Sequence, residues 1–343
     1  MNDKQFFVPR SEQPLNLLQQ ALPLGERHWY PSTLGPALVG SDALAETGWE
    51  LVAAEGLKSA PPSQHWRLFG PELTWPQLNT LLAPFQWQRL SWRHDGCYEL
   101  ALSQAPDKEV YLGLCRQLGV ELVPGPFPSL SEPGLLIMDM DSTAITGECI
   151  DEVAELAGCG EAVAQVTAAA MRGELDFAQS LRERVARLEG TPATVLDSVA
   201  DSLRFTPGIP ELVARVQQAG WLTVLVSGGF TFFAHQIQDR LGLDLAEANV
   251  LELIDGKLTG QVLGPIVDGQ YKLEVLKRVR DKAGLAPSQV LALGDGANDL
   301  PMLAEAGLGI AYRGKPKVEL AARGAILGHD MHAVLALLEA SGS

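Results

Sequence analysis

Three short apolar runs dominate the second half of the chain: residues 134–138 (GLLIM), 221–226 (WLTVLV) and 289–294 (QVLALG). Each stops abruptly at polar or glycine-rich sequence and is followed by a helical stretch. Runs without alternation suit strands covered on both faces, and strands alternating with helices make a parallel sheet. In open sheets of this kind ligands bind beyond the carboxyl ends of the strands. The chemistry is therefore expected where the three runs end.

Charge narrows the ligand. With 26 Lys and Arg against 42 Asp and Glu, the net charge of −16 repels nucleic-acid backbones and anionic lipid. A nucleic-acid partner is excluded on that ground, whereas a small anion needs only local positive charge. The hydrophobic fraction of 46% rules out wholesale disorder. No basic segment followed by an apolar one opens the sequence, and no run of about 18 apolar residues occurs. The expectation is a cytoplasmic chain with no membrane partner. Cys97, Cys115, Cys149 and Cys159 show no C-x-x-C spacing, as free thiols in a reducing compartment would.

Six of the seven tryptophans precede residue 100, which suggests two modules. Residues 124–134 (PGPFPSLSEPG) form a proline-rich linker, placing an N-terminal α+β module at 1–130 and a second domain at 131–343. Within the first module, residues 65–69, 87–92, 98–102 and 119–123 read as strands, and 74–84 and 107–118 as helices, with a turn at 94–96. The order βαββαβ is the ferredoxin-like pattern, beginning at about residue 62. Helix candidates lie at 13–21 and 42–54, and no internal repeat of 20 to 50 residues is visible.

The first apolar run leads into Asp139-Met140-Asp141-Ser142-Thr143. Side-chain period two puts Asp139 and Asp141 on one side, where one could act as nucleophile and the other as acid or base. Alternatively they cap the next turn. The third run ends in Gly294-Asp295-Gly296-Ala297-Asn298-Asp299, either a turn with a helix cap or part of a hard-cation site. Oxygen ligands converging from two strand ends suit Mg2+. The second run ends in Ser227-Gly228-Gly229, an ordinary turn or a backbone cradle for phosphate. Lys272, just before an amphipathic stretch, is a surface lysine or a phosphate ligand.

Arg184 stands apart because helical rotation places it beside Phe177, Leu181 and Leu188, while Arg182, Glu183 and Arg187 turn outward. A guanidinium on an apolar stripe needs an anion, from a buried ion pair or from a ligand. His235 reads as packing or a solvated face, and Cys149 as a core or pocket-wall residue. No Gly-x-Ser-x-Gly elbow is present.

Taken in order, Asp139-x-Asp141-Ser-Thr, Ser227-Gly-Gly, Lys272 and Gly294-Asp295-Gly-x-Asn298-Asp299 resemble the four motifs of the haloacid dehalogenase-like phosphotransferases. More narrowly, residues 135–330 resemble the phosphoserine phosphatases among them, through MDMDSTAITGECIDE, MRGELDFAQSLRERVARLEG, VSGGF, DGKLTGQVLGPIVDGQYK and GDGANDLPML. The resemblance implies a Rossmann-like parallel core with a helical cap inserted at about 149–203, and an ACT-like N-terminal module that senses an amino acid or forms a homodimer. It implies hydrolysis of O-phospho-L-serine through an aspartyl-phosphate, with Asp139 as nucleophile and Asp141 as general acid and base. Mg2+ would be held by Asp139, the Asp141 carbonyl and Asp295, with Asp299 supporting. Ser227, Gly228 and Lys272 would bind the phosphoryl group, Asn298 would orient substrate or Lys272, and Glu148 and Arg184 would take the ammonium and carboxylate. A related phosphatase for another phospho-amino acid and a non-catalytic serine-binding regulator are the rival readings.

Overall fold

The computed structural model describes residues 5–9, 28–32, 35–40, 49–52, 64–71, 73–92 and 97–339. The expected turn at 94–96 and helix at 13–21 lie outside them. The chain divides into two compact units, one reaching Phe127 and taking back Gly324–His329 and the segment from Ala336, the other comprising Pro128–Arg323 and Asp330–Leu335.

In the N-terminal unit, strands β1 (Gln5–Pro9), β2 (His28–Ser32), β3 (Gly35–Gly40) and β4 (Trp49–Val52) lie in the order β4-β1-β3-β2. Trp49–Val52 falls inside the helix expected over 42–54. Its β-prone Trp and Val and an available antiparallel partner, Phe6–Pro9, override the apolar spacing that suggested a helix. Then follow β5 (Gln64–Phe69), α1 (Trp75–Leu82), β6 (Gln86–Trp92), β7 (Cys97–Gln104), α2 (Lys108–Leu118) and β8 (Glu121–Pro124). These strands continue the same sheet as β6-β7-β5-β8, joined through β2 and β6, with every pairing antiparallel.

Counted within each set of four, the strand orders are mirror copies that meet at the second strand of each. Helices α1 and α2 bury Leu78, Leu81, Tyr111 and Leu112 against the sheet, and Trp66 meets Tyr111 edge-on at 4.9 Å. Glu121, 1% exposed, ties the returning C-terminal segment by accepting the N–H groups of Leu327, Gly328 and His329 at 2.8, 2.9 and 3.0 Å.

The second unit is α/β. It contains β9 (Leu135–Met138), then four helices, α3 (Cys149–Leu156), α4 (Gly160–Met171), α5 (Phe177–Ala186) and α6 (Thr194–Ser202). After α7 (Ile209–Gln218) come β10 (Leu222–Phe230), α8 (Thr231–Leu241), β11 (Leu245–Ile254), β12 (Lys257–Leu263), α9 (Gly269–Lys282), β13 (Val290–Gly294) and β14 (Leu308–Tyr312). The strand order is β12-β11-β10-β9-β13-β14, parallel throughout except for the β11–β12 hairpin.

Strand β9 sits between β10 and β13, so its four residues are fully sealed. That position explains the absence of polar alternation in 134–138. It also brings the ends of all three apolar runs side by side.

Candidate active site

The carboxyl end of β9 delivers Asp139, whose N–H donates to the Leu293 carbonyl of β13 at 3.0 Å. The chain then turns sharply, with Ser142 at φ +55°, and Asp141 accepts the Cys149 N–H of α3 on Oδ1 at 2.9 Å. A free N–H at the buried start of the helix is thus satisfied by a carboxylate that also lines the cavity.

At the end of β10 the ladder to β11 slips. Val226 pairs with Glu247 but Phe230 with Asn249, so Ser227, Gly228 and Gly229 stand opposite Ala248 alone. A side chain at either glycine would displace site residues: a Cβ on Gly228 would lie 2.6 Å from the Phe177 ring, and one on Gly229 2.7 Å from Asp141 Oδ2. Close approach of backbone to the site is why glycine occupies both positions.

From β13, Asp299 turns back so that its Oδ2 accepts the Gly296 N–H at 2.9 Å, and the Thr143 hydroxyl donates to Asp295 Oδ1 at 3.4 Å. Lys272 of α9 is completely buried rather than a surface lysine. Its Nζ lies 2.7 Å from Asp139 Oδ1 and 2.6 Å from Asp299 Oδ1. An Asp268 cap, accepting the Tyr271 N–H at 2.9 Å, fixes the start of α9.

These strand ends and the helices α3 to α5 line one cavity of about 930 Å³. Asp139, Asp141, Glu148, Arg184, Ser227, Gly228, Asp295 and Asn298 all reach it, whereas Lys272 and Asp299 lie behind its wall. Glu148 accepts the Ser142 hydroxyl at 3.0 Å. Arg184 occupies the inner side of α5, with Arg182, Glu183 and Arg187 exposed, and its buried Nε has no hydrogen-bond partner. A buried guanidinium N–H facing a cavity is a group that still requires an anion.

The electrostatics follow from crowding. Burial raises the Asp139 carboxyl, Asp299 pushes it further, and Lys272 opposes both. Burial disfavours the Lys272 ammonium, but Asp139 and Asp299 outweigh it and keep the lysine charged. Asp295 is lifted to about 6 by burial and Asp299. Asp141 is raised by burial against the opposing N–H and thiol of Cys149. Glu148 rises to about 7 through burial by the cavity walls and the neighbouring Asp141. For Arg184, burial lowers the pKa while Asp151, Glu148 and Asp141 sustain the charge.

Asp139, Asp295 and Asp299 each place a carboxylate oxygen within 4.8 Å of the others. Three carboxylates against the one ammonium of Lys272 leave surplus negative charge on an all-oxygen donor set, which fits a hard divalent cation.

Sequence reasoning did not find three residues that hold this geometry. Thr143 and Cys149 lie within quoted motifs, yet nothing in their spacing marks them as partners of Asp295 and Asp141. Asn249 carries no motif at all, and in a strand that also holds Glu247 and Glu252 its polarity does not mark it out.

Residues 136–304 match the haloacid dehalogenase-like hydrolase family. The chain belongs to that family, and within it to the phosphoserine phosphatases. It is 49% identical to the phosphoserine phosphatase of Vibrio cholerae over 214 residues, which cover 62% of this chain and 65%, just under two thirds, of that relative. The phosphoserine phosphatase of Idiomarina loihiensis is 47% identical over 208 residues, covering 61% of this chain and 94% of that one. The solved structure of a probable phosphoserine phosphatase from Vibrio cholerae, unliganded, superposes with a TM-score of 0.69 at 40% identity, covering 81% of this chain and 87% of that one.

Proposed function

We propose that this chain hydrolyses O-phospho-L-serine to L-serine and phosphate, the last step of L-serine synthesis. One observation carries the assignment: the cavity that holds Asp139, Asp141 and Asp295 also holds Glu148 and an Arg184 whose buried Nε lacks a partner. A phosphomonoester with an amino-acid end satisfies all of them together.

In this reading an Asp139 carboxylate oxygen attacks phosphorus in line, and the P–O bond to the serine oxygen breaks. That oxygen leaves with a proton from Asp141, whose burial-raised pKa favours the protonated form a general acid needs. Water then attacks the phosphorus of the aspartyl-phosphate, and Asp141 takes the proton. Phosphate departs and Asp139 is restored. Ser227 and the Gly228 N–H bind the phosphoryl oxygens, the Lys272 charge acts on them from behind the Asp139 carboxylate, and Asn298 orients the substrate or Lys272. Asp139, the Asp141 carbonyl and Asp295 would hold Mg2+, supported by Asp299; the cation supplies positive charge between nucleophile and phosphate. Helices α3 to α6 serve as a cap that excludes bulk water.

From about residue 62 the N-terminal unit fits an ACT-like module for amino-acid sensing or homodimer formation, a reading supported by the βαββαβ order of β5 to β8. Free cysteines at 97, 115, 149 and 159 suit the reducing cytoplasm. Among the described residues no helix is long and apolar enough to cross a membrane.

The test is Mg2+-dependent phosphate release across a panel of phospho-amino acids and phosphate esters lacking the amine. Preference for O-phospho-L-serine is expected; equal rates would remove the amino-acid assignment.

A further inference from the structure

Where β10 slips against β11, the carbonyl of Gly228 loses its ladder partner. A buried carbonyl needs a donor. It receives one from Asn249 Nδ2 at 2.9 Å, while Asn249 Oδ1 accepts the Val267 N–H at 2.9 Å. Asn249 is 1% exposed, and both ends of its amide are used.

The Gly228–Gly229 peptide is thereby held from both sides. Asn249 takes its carbonyl, and its N–H, on Gly229, donates to Ser227 Oγ at 2.8 Å. Ser227 accepts through a lone pair, so its proton stays available to donate into the cavity that Ser227 lines. The second bond acts on another element. Val267 directly precedes Asp268, the cap of α9, and α9 carries Lys272. One amide therefore ties together the turn bearing Ser227 and the start of the helix bearing the buried ammonium.

We propose that Asn249 is a positioning residue for phosphoryl binding, fixing the Ser227 hydroxyl through the Gly228–Gly229 peptide and the Lys272 helix through Val267. Asn249 touches neither substrate nor reacting atoms. The inference rests on the phosphatase reading of the same cavity and adds the residue that registers its two phosphate-binding arms.

Asn249→Asp keeps the acceptor for Val267 but turns an oxygen toward the Gly228 carbonyl; Asn249→Ala removes both bonds. Inhibition by inorganic phosphate and by L-serine is measured for the full chain with Mg2+, alongside thermal unfolding. Loss of a hydrogen-bonded registration should weaken phosphate about tenfold or more. L-Serine, which meets the Glu148 and Arg184 side, should stay within about twofold. A merely structural role would lower the melting temperature while leaving the phosphate constant unchanged, or would weaken both ligands equally. Either result overturns the inference.

If Asn249→Ala does not fold, the nearly isosteric Asn249→Asp carries the test. Phosphate inhibition is also read on p-nitrophenyl phosphate. A wild type that shows no preference for O-phospho-L-serine then defeats the substrate assignment, separately from the outcome for Asn249.

Discussion

Lys272 Nζ lies 2.7 Å from Asp139 Oδ1, with the lysine fully sealed and the aspartate nearly so. Asp139 therefore shares its charge with a cation sealed behind the cavity wall. Replacing Lys272 with Met would leave Asp139 and Asp299 buried without an internal counter-charge. We expect a loss of about 3–5 kcal/mol of stability, seen by denaturant unfolding, and loss of phosphate release. A stable, fully active Lys272→Met would refute the role of this pair.

Asp139→Asn keeps the shape of the side chain and removes its nucleophilic charge. Phosphate release should fall by about three orders of magnitude or more with the melting temperature unchanged or raised, since one of three crowded carboxylates is neutralised. Unchanged turnover would refute the nucleophile assignment.

Arg184→Ala removes the group that faces the cavity with an unpartnered Nε. One charged hydrogen-bonding contact is worth about 1.5–3 kcal/mol, so kcat/KM for O-phospho-L-serine should fall about 10- to 150-fold. Turnover of p-nitrophenyl phosphate should be retained. Equal losses on both substrates would mean that Arg184 supports the cap rather than reading a carboxylate.

In the proposed reading Glu148 would bind the substrate ammonium as a carboxylate, and its pKa is lifted to about 7. Lowering the pH through about 7 protonates it, so KM for O-phospho-L-serine should rise on the acid side, while an ester without an amine lacks that limb. In Glu148→Gln the two substrates should show the same acid limb, measured as kcat/KM from pH 5 to 8, about the range where this group titrates.

Chelation of divalent cations with EDTA should abolish turnover, and restoring Mg2+ should relieve the mutual repulsion of Asp139, Asp295 and Asp299. Activity recovery on adding back Mg2+, and not on adding Na+, is the check. Full activity in excess EDTA would contradict a cation held by these carboxylates.

Legibility followed the physics of each element. The three central strands were readable because full burial on both faces leaves an uninterrupted apolar run. Arg184 was readable because a charge on an apolar stripe breaks a helical pattern. Strands β11, β12 and β14 were not anticipated: β11 mixes Glu247, Asn249 and Glu252 with apolar residues, and β12 follows a turn at Asp255-Gly256 with much of its surface exposed. The burial of Lys272 was equally hidden, because its counter-charges come from residues 139 and 299, distant in the chain. Asn249 could not be found from spacing, since its task is created by a register slip that only paired strands possess.

The placement of β9 between β10 and β13 has a kinetic consequence. The two partners of β9 are far from it along the chain, Leu135 pairing with both Leu222 and Val290, so each of these parallel pairings closes a long loop before Asp139 meets Ser227 or Asp295. No fragment of the unit can hold Asp139, Ser227 and Asp295 together. Regained turnover after dilution from denaturant should therefore lag behind helix formation and report completion of the sheet, in one late step rather than by degrees.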